Sequence, residues 1–366
     1  EPAAWRALVG PPVCRLNPPV SAPRVCVLLP TFNSLATLPR ASESIRRQTF
    51  VNWELLVVDD GSTDGTAAWL RQEAAQEPRL KVISQPHAGI VAALNRGLAE
   101  ARGEFIARMD ADDESLPERL AQQVAFLDSQ PDIGVVGSLV EFASDRAASQ
   151  GYALHVDWLN TLITPDQIAL NRFVESPFAH PSLMFRRELV TQHGGYRGGD
   201  FPEDYELWLR WLAAGVRMAK VPRVLLRWHD LTARLSRTDP RYGVDAFYQL
   251  KADYLARWLK QRVPAALVVK AGDCKSPALL VWGAGRLTRK RVKLLEAHGI
   301  TITAYVDIDP NKLGRSRAGH LVLAPEQIPP AAFILGYVAR RGARDYCRRI
   351  LQQRGLVEGR DFLFAA

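Results

Sequence analysis

At 366 residues and 47% hydrophobic content, the chain has room for two packed domains. Its longest apolar runs, 25–29 and 278–282, are far too short to cross a bilayer, so no membrane span is expected. The formal charge of +8 is uneven: residues 261–366 hold 18 Lys and Arg against 8 Asp and Glu, so the basicity belongs wholly to the C-terminal part.

Taken in order, residues 1–23 are proline-rich and aperiodic and read as an arm. A buried-type strand over 24–29 is then stopped by Pro30-Thr31-Phe32-Asn33. A helix follows over 35–48, and a second strand, 53–58, ends in Asp59-Asp60-Gly61-Ser62. Helix 65–75, strand 80–84, helix 90–101 and strand 105–107 complete the alternation, which predicts a mostly parallel sheet covered on both faces. Ligands on such sheets bind beyond the carboxyl ends of the strands. Three sets of residues converge there: Pro30 to Asn33, Asp59-Asp60, and Asp110 with Asp112.

The run Met109-Asp110-Ala111-Asp112-Asp113 closes the fourth strand. Carboxylates at a strand end suit a hard divalent cation, Mg²⁺ or Mn²⁺, which in turn grips a diphosphate. The plainer alternative makes Asp112 and Asp113 caps of a helix over 117–127. The scattered cysteines, Cys14, Cys26, Cys274 and Cys347, have no ligand-like spacing and predict buried thiols in a reducing compartment, the cytoplasm.

Pro30-Thr31-Phe32-Asn33, Val58-Asp59-Asp60-Gly61-Ser62-Thr63-Asp64, Asn95-Arg96-Gly97 and Met109-Asp110-Ala111-Asp112-Asp113 together resemble the inverting family 2 glycosyltransferases, which have a GT-A fold. The resemblance spans about residues 24–240. It implies a UDP-sugar donor held by Pro30, Thr31, Asn33 and Asp60 around base and ribose. It makes Asp110 a contact of the sugar or ribose and Asp112 the ligand of a divalent metal, while Asp59 supports its turn.

Downstream, 134–138 and 140–142 read as a strand pair, and 143–170 are weakly patterned. His180 sits in a proline-framed turn before a strand, where it is either a structural hydrogen bonder or part of the sugar or acceptor site. In Phe201-Pro202-Glu203-Asp204-Tyr205-Glu206, the acids open an apolar helix. Inversion needs a base on the face opposite the leaving diphosphate. Asp204 matches the family's proposed base, although first-turn acids also favour a helix by themselves. Beyond the strand over 224–229, the resemblance implies His229 as a further metal ligand, with Arg234, Ser236 or Arg237 neutralising phosphate oxygens.

Residues 241–276 read as a helical linker whose apolar stripe packs against a core. From 277 to 366 comes a smaller, basic unit: strand, Gly283-Ala284-Gly285 turn, helix, and a strand ending in Asp307, a Rossmann-like beginning that lacks the third glycine, since 288 is Thr. The fold class is therefore α/β, a GT-A type sheet plus a Rossmann-like C-terminal domain. With Val306-Asp307-Ile308-Asp309-Pro310-Asn311-Lys312 and Gly359-Arg360-Asp361-Phe362-Leu363, the layout is similar to the β-1,3-N-acetylglucosaminyltransferase-like proteins. That group implies galactose transfer to queuosine, with tRNA held by the basic unit through phosphate contacts. The alternative acceptor is a glycan or lipid-linked saccharide. A non-catalytic nucleotide-binding scaffold is the reading from another class, and the retained acids argue against it. A nucleotidyltransferase would need a glycine-rich basic loop after the first strand, where Pro30 to Ser34 offers none.

Overall fold

The computed structural model describes residues 22–231, 234–262, 278–338 and 342–366. Nearly all of the expected arm, the second part of the expected linker, Cys14 and Cys274 lie outside these residues.

The first half alternates as its sequence pattern predicts: β1 (Val25–Thr31), α1 (Leu38–Arg46), β2 (Trp53–Asp59), α2 (Thr66–Gln76), β3 (Leu80–Ser84), α3 (Ile90–Glu100) and β4 (Phe105–Arg108). After β5 (Glu114–Ser115) and α4 (Arg119–Ser129) come β6 (Ile133–Phe142), α5 (Gln150–Leu159), α6 (Pro165–Asn171), β7 (Met184–Arg186), α7 (Glu188–His193), α8 (Glu203–Ala213) and β8 (Arg217–Trp228). These strands form one eight-stranded sheet in the order β3-β2-β1-β4-β7-β6-β8-β5. β1 to β4 are parallel; β7 runs antiparallel to both β4 and β6, and β8 is parallel to β6.

Strands buried on both faces need continuous apolar sequence rather than alternation. β1 shows why: Val25, Val27 and Leu29 pack with α1, α2 and α4, while Cys26 and Leu28 face α3 and α8. Because β1 is followed by β2 and β3 on one side and joined by β4 on the other, strand order reverses at the β1/β4 pair. A crevice opens at the carboxyl ends of such a pair.

Two expectations change. The predicted strand pair at 134–142 is one continuous β6: its register against β8 shifts between Ser138 and Val140 because β8 carries the extra residues there, and β6 runs on without ending. The weakly patterned stretch 143–170 contains two helices. Thr164 caps the second in a reciprocal box with Gln167, followed by Pro165 at the first helical position, a start signal readable in Thr164-Pro165-Asp166-Gln167.

The chain continues with α9 (Leu235–Thr238), α10 (Val244–Arg262), β9 (Leu279–Trp282), α11 (Arg286–Ala297), β10 (Ala304–Val306), β11 (Ser316–Arg317), β12 (His320–Leu323), β13 (Phe333–Gly336), α12 (Ala343–Gln353) and β14 (Phe362–Phe364). A second sheet has the order β11-β12-β10-β9-β13-β14, parallel throughout except for β11. α10 fills the space between the sheets. Its Leu250, Leu255 and Leu259 share one buried cluster with Tyr205 and Leu209 of α8 and with Leu279 and Val281 of β9. Buried Lys251 of α10 donates to the carbonyls of Val174 and Ala365 at 3.1 and 3.3 Å. Among the described residues, no helix is long and apolar enough to cross a membrane.

Candidate active site

β1 and β2 run in register to Thr31 opposite Asp59, so the turns that follow them emerge side by side. Asn33, in left-handed backbone at φ 50°, ties those turns together. Its N–H donates to Ser62 Oγ at 2.8 Å, and its Oδ1 accepts from the Thr63 N–H at 2.8 Å. Asp59 Oδ1 accepts from the Ser62 N–H at 3.2 Å within its own turn.

Asp60 is buried and committed to the loop after β3. It accepts from Gln85 Nε2 at 2.7 Å, the Ala88 N–H at 2.9 Å and the Gly89 N–H at 2.8 Å, and His87 Nδ1 lies 2.9 Å from it. A carboxylate offers about four acceptor directions, so this one organises the pocket wall and has little capacity left for a ligand. Gly61 makes the approach possible: at φ 80°, an added Cβ would sit 2.8 Å from the His87 backbone nitrogen. His87 in turn stacks on exposed Phe32, with ring centroids 4.1 Å apart. Pro30 and Thr31 are buried in β1, and Thr31 Oγ1 has no partner.

At the end of β4, one carboxylate oxygen each from Asp110, Asp112 and Asp113 falls within 4.8 Å of the others. Arg108, buried in the strand, anchors Asp110 from below at 2.6 Å. Arg234 reaches the cluster from the opposite side. It lies 3.3 Å from Asp110, 3.4 Å from Asp112 and 3.7 Å from Asp113, and also donates to the His229 carbonyl at 2.7 Å. Burial raises all three carboxyls, but Arg108 and then Arg234 more than reverse this for Asp110, which ends below the usual range. Asp112 and Asp113 end above it: burial outweighs Arg234, and the neighbouring acids add to the rise.

Asp113 does not cap the following helix. Its side chain is fully buried, and its Oδ1 accepts the His229 N–H at 2.8 Å. The helix starts instead at Arg119, after Glu118, with no side-chain cap. His229 thus meets the acids through its backbone, and its ring is not one of the clustered donors. Arg237 turns away to Asp230, Ser149 and the Tyr152 ring. The donor set is all oxygen and partly buried, and Asp113 Oδ2 has no hydrogen-bond partner. These residues fit a hard divalent cation.

A fourth acidic site opens α8, which begins at Glu203. Burial, followed by the charge of Glu203, pushes the Asp204 carboxyl up to about 7, and Asp110 is near enough to contribute. Tyr242 donates to Glu203 Oε2 at 2.6 Å, fixing the neighbouring acid. His180 Nε2 is 2.8 Å from Tyr196 Oη, and burial beside Arg108 keeps its imidazole neutral well below the usual pH. Tyr196 is itself held by Asn95, which accepts its N–H at 3.0 Å and donates to its carbonyl at 2.9 Å. Asn95 therefore gives the Asn95-Arg96-Gly97 motif a positioning job.

Sequence reasoning passed over Arg108, Tyr196, Tyr242 and Arg40, whose Nη2 donates to the Asp112 carbonyl at 2.6 Å. Arg108 had a signal: a cation inside an apolar central strand demands a buried partner, and Asp110 is two residues away. The other three come from distant segments with no local pattern.

The family model for glycosyl transferase family 2 matches residues 26–194. The putative glycosyltransferase EpsE of Bacillus subtilis (strain 168) is 34% identical over 62% of this chain and 80% of that protein. The O-antigen biosynthesis glycosyltransferase WbnJ of Escherichia coli is 28% identical over 60% of this chain and 83% of that protein. The amylovoran biosynthesis glycosyltransferase AmsE of Erwinia amylovora is 29% identical over 52% and 69%. In structure, residues 1–349 of S. aureus TarS, solved with UDP-GlcNAc, match with a TM-score of 0.50 at 20% identity, over 68% of this chain and 76% of that one, a likeness of fold. Sequence kinship and fold agree, and the chain belongs to glycosyl transferase family 2.

Proposed function

We propose that this glycosyltransferase moves a hexose from a UDP-linked donor to a hydroxyl of a growing glycan, inverting the anomeric carbon. The observation that carries the reading is Asp204, a carboxyl that burial and Glu203 raise to about 7 within reach of the charge of Asp110. A general base works best with a pKa near the working pH. Asp204 takes the acceptor hydroxyl's proton as that oxygen bonds to the anomeric carbon, and the electron pair of the breaking bond leaves with the nucleoside diphosphate.

Asp110, Asp112 and Asp113 would hold Mn²⁺ or Mg²⁺, which when bound supplies positive charge opposite the diphosphate. Arg234, released from these carboxylates, offers its fork of donors to phosphate oxygens. Exposed Phe32, stacked on His87 beside Asn33, suits the base. His180 and Tyr196 line the sugar side. In this reading the donor and acceptor sites belong to residues 24–240, and the unit from 277 to 366 serves placement.

Relatives named for O-antigen and amylovoran synthesis favour a glycan acceptor over the queuosine of tRNA. The test presents the full chain with UDP-hexoses, Mn²⁺, and either lipid-linked saccharides or queuosine-containing tRNA, and weighs the products. Sugar on the saccharide supports the proposal. Sugar on the tRNA alone overturns the acceptor, and transfer to neither overturns the reading.

A further inference from the structure

The strongest unexplained charge lies on α11, far along the chain from the catalytic acids. Its twelve residues carry Arg286, Arg289, Lys290, Arg291 and Lys293 against the single acid Glu296. Arg286, Leu287, Arg289, Lys290 and Lys293, with Ala318 from the β11–β12 turn, line an open groove of about 710 Å³. Little of this charge is neutralised. Lys290 pairs at 2.7 Å with Asp245, both largely exposed, and Arg289 donates to the Ala284 carbonyl at 2.7 Å. Among the described residues, neither Arg286 nor Lys293 has an ion pair or side-chain hydrogen bond.

Apolar side chains stand among these cations. Leu287 is 64% exposed in the groove lining, and Val244, next to Asp245, is 69% exposed. Among the described residues, no aromatic residue lines the groove. A single-stranded nucleic acid would be expected to find stacking rings beside its cations. Cations with a protruding leucine suit a layer of phosphates over an acyl boundary. Two contacts nevertheless tie the face to Glu203: Tyr242 donates to Glu203, and Asp245, three residues on, accepts from Lys290. Three residues span at most about 11 Å.

We propose that the α11 face docks the protein on an anionic phospholipid surface, with Arg286, Lys290 and Lys293 against the headgroups and Leu287 reaching below them. The inference rests on the glycan reading, since it brings the acceptor side of the crevice to a membrane where a lipid-linked saccharide would lie.

The experiment sediments the full chain with vesicles of phosphatidylcholine alone or mixed with an equal amount of phosphatidylglycerol. Binding to the mixed vesicles alone, weakening with salt, is expected. Arg286→Glu with Lys293→Glu should lower partitioning at least about tenfold, given about fivefold per cation near an anionic surface. Leu287→Ser should lower it at unchanged charge. Thermal melts and UDP binding of these exposed-site variants should match the parent. Equal binding to both vesicle types, an unaffected double variant, or displacement from vesicles by tRNA that binds the same face more tightly would each overturn the proposal. Vesicle binding is read without sugar transfer, so failure of the acceptor assignment and failure of docking register separately.

Discussion

Arg234 Nη2 lies 3.3 Å from Asp110 Oδ2, which places a guanidinium where the acid cluster needs a cation. The same side chain is within 4.0 Å of Asp112 and Asp113. Removing one partner of a buried charge cluster typically costs about 3–5 kcal/mol. Arg234→Ala should therefore lower stability by about 3 kcal/mol in metal-free buffer, and Mn²⁺ should restore more stability to the variant than to the parent. Thermal melts with and without Mn²⁺ check this; an identical Mn²⁺ response would show that cation and guanidinium do not share a position.

Asp204→Asn should abolish transfer, by about 10² to 10⁴ in kcat, and leave UDP affinity nearly intact. Calorimetric UDP titration beside a transfer assay separates the two. A parallel loss of affinity would place Asp204 in donor binding instead.

The raised Asp204 carboxyl also sets two pH dependences with opposite benefit. Activity should rise through about pH 7 and level above it, as the proposed base loses its proton. Stability runs the other way. The folded state holds the Asp204 proton up to about 7, whereas the unfolded chain releases it near the ordinary value of 3.8, so its stabilisation is full below about pH 4 and lost as pH rises through 7. At pH 8, Asp204→Asn should thus be more stable than the parent by about 2 kcal/mol, a discounted figure because solvent reaches the carboxylate. Denaturant titrations at pH 5 and pH 8 would expose the crossover.

Glu203→Gln removes the second cause of that rise while leaving an acceptor for Tyr242. The activity midpoint should move down by about one pH unit. A midpoint that stays in place would mean burial alone sets it.

Gly61→Ala meets two obstacles: a left-handed backbone, costing about 1–2 kcal/mol, and a Cβ 2.8 Å from the His87 nitrogen. It should destabilise the protein by at least about 2 kcal/mol and weaken UDP binding by displacing the Phe32 and His87 stack. Urea melts and UDP titration measure both.

Much of this was legible in the chain because the motifs are local. Buried strands announced themselves as runs such as Val25 to Leu29, and each was punctuated by the turn residues that now form the crevice edge. Side-chain direction was not legible. The place of Asp60 after β2 did not foretell that its oxygens accept from the Ala88 and Gly89 N–H groups of the 85–89 loop. Asp113 reads as a cap, yet β8 delivers the His229 N–H to it from 116 residues away. Arg237 points to Asp230, seven residues back, rather than to the acid cluster. Such choices depend on partners brought together only by the sheet order.

The apolar cluster that joins Tyr205 and Leu209 to Leu279 and Val281 has a further consequence. The helix that presents Asp204 uses its outer face as part of the second sheet's interior. Neither sheet can be dissolved without stripping that helix of one packed face, so the two should melt in a single cooperative transition. Excising residues from 278 onward would leave Asp204 on a helix that has lost the packing around Tyr205 and Leu209, so sequence drift in the second sheet is constrained by a crevice it never touches.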